Sequence, residues 1–136
     1  MTELTVTRDL SAPPERVWRA FTSPEELAAW FWPATLSAVV TVDLRVGGRY
    51  RVASESAGMA FGGEYIAVEP VARLVKTWQW DGDDDETLVT ITLTPTADGG
   101  TELTIVHERF ASDEDVTSHL QGWNDCLDRL PAFLAG

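Results

Sequence analysis

Cysteine occurs once, at Cys126, and histidine only twice, at His107 and His119, in a chain of 136 residues. One thiol cannot close an internal disulfide, so nothing requires an oxidising compartment. So few thiols and imidazoles also leave no ligand set for a dedicated transition-metal site. Basic residues are scarce too: ten Lys and Arg face 22 Asp and Glu, and the net charge of −12 opposes nucleic acid and anionic lipid as partners. No long hydrophobic run is present. The longest uncharged stretch, residues 27–42, is interrupted by Pro33, Thr35 and Ser37 and is shorter than the roughly 20 apolar residues of a membrane-spanning helix. Met1-Thr2-Glu3 offers neither the basic start nor the apolar run of a secretory signal. There is no GxSxG, P-loop or GxGxxG motif, which removes the familiar hydrolase, nucleotide and dinucleotide readings. The expectation is a cytoplasmic protein without nucleic acid, membrane insertion, metal or cofactor.

What is present is an ordinary globular composition, 44% hydrophobic and 24% charged, of single-domain length, so residues 1–136 are read as one domain. Leu4, Val6 and Arg8 alternate with Thr5, Thr7 and Asp9, predicting a first strand over residues 2–10. Pro13 and Pro14 open a short helix in which Val17, Trp18, Ala20 and Phe21 share a face. Ser23-Pro24-Glu25-Glu26 has the pattern of a helix cap and starts a second short helix carrying Leu27 and Trp30, which Pro33 ends. From Thr35 to Phe110 the helical period gives way to about six strands separated by glycine-rich turns and the acidic tip Asp81 to Glu86. Val89, Ile91 and Leu93, then Leu103, Ile105 and His107, alternate with polar residues, as in an antiparallel sheet wet on one face. Ser112 caps a last helix whose predicted apolar stripe is Val116, Leu120, Trp123, Leu127, Leu130 and Leu134. Gly122 and Pro131 weaken it.

That order of elements, with Ala12-Pro13-Pro14-Glu15-Arg16-Val17-Trp18-Arg19-Ala20-Phe21, Pro24, Trp30, Val46-Gly47-Gly48-Arg49-Tyr50, Gly63-Glu64-Tyr65, Glu69-Pro70 through Val75 to Trp78, and Gly122-Trp123, resembles the START-like (SRPBCC) superfamily. Within it the chain resembles the Hsp90-ATPase-activator homologue group. The resemblance spans essentially the whole chain. It implies an α+β helix-grip fold: a curved antiparallel sheet of six to seven strands around a long C-terminal helix, two short helices after the first strand, and a cavity between sheet and helix. It implies no single activity, because the superfamily holds lipid carriers, receptors, cyclases, oxygenase subunits and chaperone activators.

Six tryptophans, five phenylalanines and two tyrosines are more aromatic bulk than a core of this size needs. They point to a cavity for a small hydrophobic or amphipathic ligand, lined by Trp18, Phe21, Trp30, Trp32, Tyr50, Phe61, Trp78, Trp80, Ile91, Ile105, His107, Trp123 and Leu127. His107, inward by strand parity, is the candidate general acid or base of a cyclase- or hydrolase-type alternative, with Glu64 as helper if its strand turns Gly62 and Ile66 inward. The bland alternative for His107 is a core imidazole satisfied by its neighbours. Lys76 shares parity with Leu74, Trp78 and Trp80 and is expected to reach the rim with its ammonium in water. Cys126 is expected off the stripe as an inert thiol, and His119 at its flank, partly covered. His107-Glu108-Arg109-Phe110-Ala111 starts like a zinc-protease motif but lacks the second histidine. Asp81, Asp83 and Asp85 start like a calcium loop, but Glu86 stands where glycine is required. A chaperone or other protein partner is the third reading, and homodimerisation is left open.

Overall fold

The computed structural model describes residues 2–136. Strand β1 (Leu4–Leu10) is followed by helices α1 (Pro14–Thr22) and α2 (Pro24–Trp30), then a 3-10 turn at Ala34–Leu36. Six strands run on in sequence: β2 (Val39–Val42), β3 (Arg49–Ser54), β4 (Met59–Glu69), β5 (Arg73–Trp80), β6 (Thr87–Pro95) and β7 (Thr101–Glu108). Helix α3 (Asp113–Ala135) closes the chain. The strands form one seven-stranded antiparallel sheet in the order β1-β7-β6-β5-β4-β3-β2, so only β1 leaves sequence order, crossing to pair with β7.

Local chemistry accounts for the helix starts. Pro14 and Pro24 occupy first-turn positions, where a missing N–H costs nothing. Ser23 Oγ accepts from the Glu26 N–H, and Ser112 Oγ from the Asp115 N–H at 3.2 Å. Glu26 does not reach back to complete a capping box; it pairs instead with Arg16 and Arg19, tying α2 to α1. Helix α3 continues through Pro131, which cannot donate to the Leu127 carbonyl.

The concave face of the sheet is read from the register. Leu4, His107, Val89, Lys76 and Tyr65 form one row across five strands, and Val6, Ile105, Ile91 and Leu74 the next. Val17, Ala20 and Phe21 of α1, Leu27 and Trp30 of α2, and Trp123, Leu127 and Leu130 of α3 are buried against this face. At Gly63 an added Cβ would lie 2.1 Å from the Thr77 carbonyl, so β4 approaches β5 there as only glycine permits. The cross-strand partner of Gly63 is Tyr50, whose hydroxyl donates to that same Thr77 carbonyl at 2.6 Å.

The inward seam of α3 differs from the predicted stripe. Leu120 is exposed, Cys126 is buried, and His119, Trp123, Cys126 and Leu130 follow one another at spacings of four and three. The helix is turned toward His119, whose Nε2 accepts from the Trp80 indole N–H at 2.9 Å. A polar residue at an inward position concealed the true phase.

Candidate functional site

A cavity of about 310 Å³ lies between the first half of α3, the segment after α2 and the C-terminal end of β5. Phe31 and Trp32, Trp78 and Trp80, and Ser118, His119, Gly122, Trp123 and Cys126 line it. Strand alternation puts Trp78 and Trp80 on one face of β5. Ser118, Gly122 and Cys126 recur every fourth residue of α3, so three small side chains look onto this space where larger ones would fill it. A Cβ on Gly122 would meet no atom within 4 Å.

Hydrogen bonds hold the walls in place. The Trp123 indole N–H donates to His107 Nδ1 at 3.1 Å; because indole only donates, the proton of neutral His107 sits on Nε2. That N–H donates to Thr87 Oγ1 at 2.6 Å, and the Thr87 hydroxyl donates to the Trp78 carbonyl at 3.0 Å. His107 therefore joins the α3 wall to the β5 wall. His119 is saturated in the opposite tautomer, its Nδ1 donating to the Asp115 carbonyl at 2.9 Å and its Nε2 accepting from Trp80. Arg129 donates to the Trp30 and Phe31 carbonyls at 3.2 and 2.6 Å, capping the end of α2 and fixing Phe31 and Trp32 against α3. The Nε1 of Trp78 is itself buried and has no hydrogen-bond partner among the described residues.

Of the residues predicted to surround a ligand, Trp32, Trp78, Trp80 and Trp123 line this cavity. Phe21, Trp30, Tyr50, Phe61, Ile91, Ile105, His107 and Leu127 are buried in the surrounding core, and Trp18 is half-buried at its edge. The core is dense where these rings meet: Phe61 stacks on Trp78 with centroids 3.6 Å apart, and Tyr50 lies 5.4 Å from Tyr65. Phe31, Ser118, His119, Gly122 and Cys126 line the cavity and were missed, as was Arg129. All of these residues but Phe31 are small or polar, and hydropathy carries no signal for them.

His107 is wholly buried, with both ring nitrogens engaged and the rings of Phe110, His119, Trp78 and Trp123 around it. Burial, with smaller contributions from His119 and Lys76, lowers its pKa from 6.5 to about 3. Glu64 does not join it. Strand β4 turns Phe61, Gly63 and Tyr65 inward, so Glu64 lies on the convex face with its side chain 46% exposed, 3.9 Å from Arg49. The condition under which Glu64 was to assist His107 is not met.

Lys76 overturns the expectation of a solvated rim residue. It is the only lysine of the chain, 4% exposed, with its ammonium 4.4 Å from the centre of the Tyr50 ring. None of the ion pairs among the described residues involves it. Burial lowers its pKa from 10.5 to about 8. Its cross-strand neighbour Tyr65, also buried, has a hydroxyl without a partner among the described residues. Cys126 is buried beside Arg129, and burial pushes its thiol up to about 12, which makes it unreactive. No group of three or more His, Cys, Asp or Glu is placed to hold a metal among the described residues, and none of their helices is long and apolar enough to cross a membrane.

A bent antiparallel sheet gripping a C-terminal helix, with two short helices after the first strand, is the helix-grip architecture of START-like proteins. The chain belongs to the Activator of Hsp90 ATPase homolog 1-like protein family, whose model matches residues 11–135. A crystal structure from Chromobacterium violaceum is 36% identical over 100% of this chain and 99% of that one, with a TM-score of 0.84. DynU16, a protein from the dynemicin biosynthetic locus, is 29% identical with a TM-score of 0.85; the match covers 99% of this chain and 48% of DynU16. An HSP90 activator from Plasmodium falciparum is 23% identical over 99% of this chain and 97% of its own, with a TM-score of 0.81, a likeness of fold. Among curated proteins there is no match.

Proposed function

We propose that the chain binds a small hydrophobic or amphipathic molecule with a flat aromatic body in the cavity between β5 and α3. The observation that carries this reading is the open volume itself, walled by the rings of Phe31, Trp32, Trp78, Trp80 and Trp123 where Ser118 and Gly122 leave it unfilled. The volume of about 310 Å³ is at the small end of the roughly 300–1,000 Å³ typical of ligand cavities, in keeping with a compact guest. Membership of DynU16 in a biosynthetic locus supports a small-molecule ligand.

The geometry offers the cyclase or hydrolase alternative little support. His107 would have to break its bond to Trp123 before its Nδ1 could take a proton, and it is not part of the cavity lining. It is a positioning residue that sets Trp123 and Trp78. The protein-partner reading draws on one surface observation: Val46 and Ile66 are exposed on adjoining segments, joined by the bond from the Gly47 N–H to the Tyr65 carbonyl. Val46→Asp combined with Ile66→Asp is expected to abolish stimulation of an Hsp90-type ATPase if this chain stimulates one.

Native mass spectrometry of the protein purified from cells tests the ligand reading, with Gly122→Leu as the comparison. The wild type is expected to carry a small-molecule passenger that the cavity-filling variant lacks. A clean unliganded mass for the wild type, with no calorimetric binding across a panel of flat aromatics, would overturn it.

A further inference from the structure

Trp80 ends β5, and its backbone is held on one side only: it pairs with Phe61 of β4, whereas the β5–β6 ladder stops at Trp78 and Thr87. The residue is half-buried and borders three spaces. It lines the α3 cavity, a smaller cavity of about 180 Å³ beside Thr87 and Phe110, and a hollow of about 650 Å³ with Arg51, Gln79 and Asp81; among the described residues it alone is common to all three. Its indole lies nearly parallel to that of Trp32, with centroids 6.3 Å apart, and its one hydrogen bond is the N–H donated to His119 Nε2 at 2.9 Å.

That bond exists in one protonation state only. His119 Nδ1 faces the Asp115 carbonyl at 2.9 Å, and a carbonyl only accepts, so Nε2 of the neutral ring holds the lone pair that takes the indole N–H. An imidazolium carries N–H on both nitrogens and an indole nitrogen only donates, so an added proton sets two donors face to face. The bond to Asp115 survives that change and keeps the imidazole in place, which leaves Trp80 as the group that must move. The charged groups facing His119 favour the proton: Asp115 one turn back on α3, and the exposed Asp83 and Asp85 of the β5–β6 hairpin, share a cavity wall with it. Strand β7 presents His107, 5.0 Å away between ring centroids, and α3 the thiol of Cys126, both neutral. No lysine or arginine lines either cavity that His119 borders, and the ammonium of Lys76 on β5 rests on Tyr50.

We propose that protonation of His119 releases Trp80 and opens the α3 cavity to ligand exchange. The gating rests on the reading of that cavity as a ligand site; the latch between His119 and Trp80 does not, and it is tested first on the unliganded protein. Between pH 8 and 5.5, the span in which imidazoles ordinarily titrate, the Trp80 indole N–H resonance is expected to move upfield in step with the His119 ring resonances, while Trp30 stays in place as a control for unfolding. His119→Gln offers a carbonyl where Nε2 stood and does not titrate, so its Trp80 resonance should hold the wild-type pH 8 position throughout. His119→Phe has no acceptor and should show the released position at every pH. Exchange of 2-naphthalenemethanol, read from lineshapes, is expected to be about fivefold faster at pH 5.5 than at pH 8 in the wild type, the worth of one net hydrogen bond, slow at both in His119→Gln and fast at both in His119→Phe. A Trp80 resonance that ignores the protonation of His119, a His119 that stays neutral down to pH 5.5, or the same pH response in His119→Gln would overturn the latch. An exchange rate independent of pH while Trp80 responds would overturn the gating and leave the ligand site standing. Failure of the probe to bind at any pH would overturn the ligand reading and the gating together, with the Trp80 resonance still reporting on the latch alone.

Discussion

The two halves of the sheet's concave face carry similar aromatic rings and end in opposite states. Where Tyr50, Phe61 and Tyr65 face α1 and α2, ring meets ring and the space is filled: Phe21 packs edge-on against Trp30 at 5.1 Å, Phe61 lies flat on Trp78, and even the ammonium of Lys76 rests on Tyr50. Under the first half of α3, the rings of Trp32, Trp78, Trp80 and Trp123 stand around open volume. The difference lies in what the covering helix contributes. Leu127 and Leu130 fill the space below the C-terminal half of α3, whereas Ser118 and Gly122 leave it open in the N-terminal half, with Cys126 at the boundary. Aromatic content alone does not separate core from cavity; side-chain size on the opposing element does.

The junction between the halves is His107, and acid should break it with the largest effect. Its folded-state pKa of about 3 lies below the reference value of 6.5, so between these values the unfolded chain binds a proton that the folded chain does not. Stability from this group is complete above pH 6.5 and falls as the pH drops toward 3, by up to about 5 kcal/mol. Urea unfolding at a series of pH values should show this slope, and His107→Gln should flatten it. Trp123→Ala removes the wall that His107 holds; it is expected to cost about 3–5 kcal/mol and to merge the cavity with the space around the imidazole. Chemical denaturation gives the cost, and an enlarged cavity in a crystal structure of the variant gives the geometry.

The filled half should show a pH dependence of the same sign at Lys76, but in the alkaline range. Its pKa falls from 10.5 to about 8 on folding, so wild-type stability is lowest below pH 8 and rises between pH 8 and 10.5. Lys76→Met is expected to gain about 3 kcal/mol at pH 7 and to remove that rise. The smallest effect belongs to the open half: Gly122→Ala should raise stability by up to about 1 kcal/mol through helix propensity, since a Cβ there meets nothing. A loss of stability at this position would mean that the space is not open.

Much of the architecture was legible because it rests on local rules. Period-two alternation located β6 and β7, proline and serine marked the helix starts, and motif order indicated the gripped helix. The cavity was legible only in part. Trp32, Trp78, Trp80 and Trp123 could be nominated as large apolar residues, but nothing along the chain distinguishes Trp78, which faces space, from Trp30, whose indole N–H is spent on the Ala20 carbonyl at 2.9 Å. Glu64 depended on which face of β4 turns inward, and the spacing of Phe61, Gly63 and Tyr65 decided that against it. Lys76 was misplaced because lysine ordinarily snorkels, and the cover that Tyr50 and Tyr65 give it comes from strand pairing that a one-dimensional reading does not display.

Indole N–H resonances provide the most direct test, because the six tryptophans report separately from the two halves of the interior. In a ¹⁵N-resolved titration with 2-naphthalenemethanol, the resonances of the lining residues Trp78, Trp80 and Trp123 are predicted to move as the bound ring shields them, with Trp30 unmoved. A titration in which Trp78, Trp80 and Trp123 all stay still, or in which Trp30 shifts as much as they do, would contradict the assignment of the α3 cavity as the binding site.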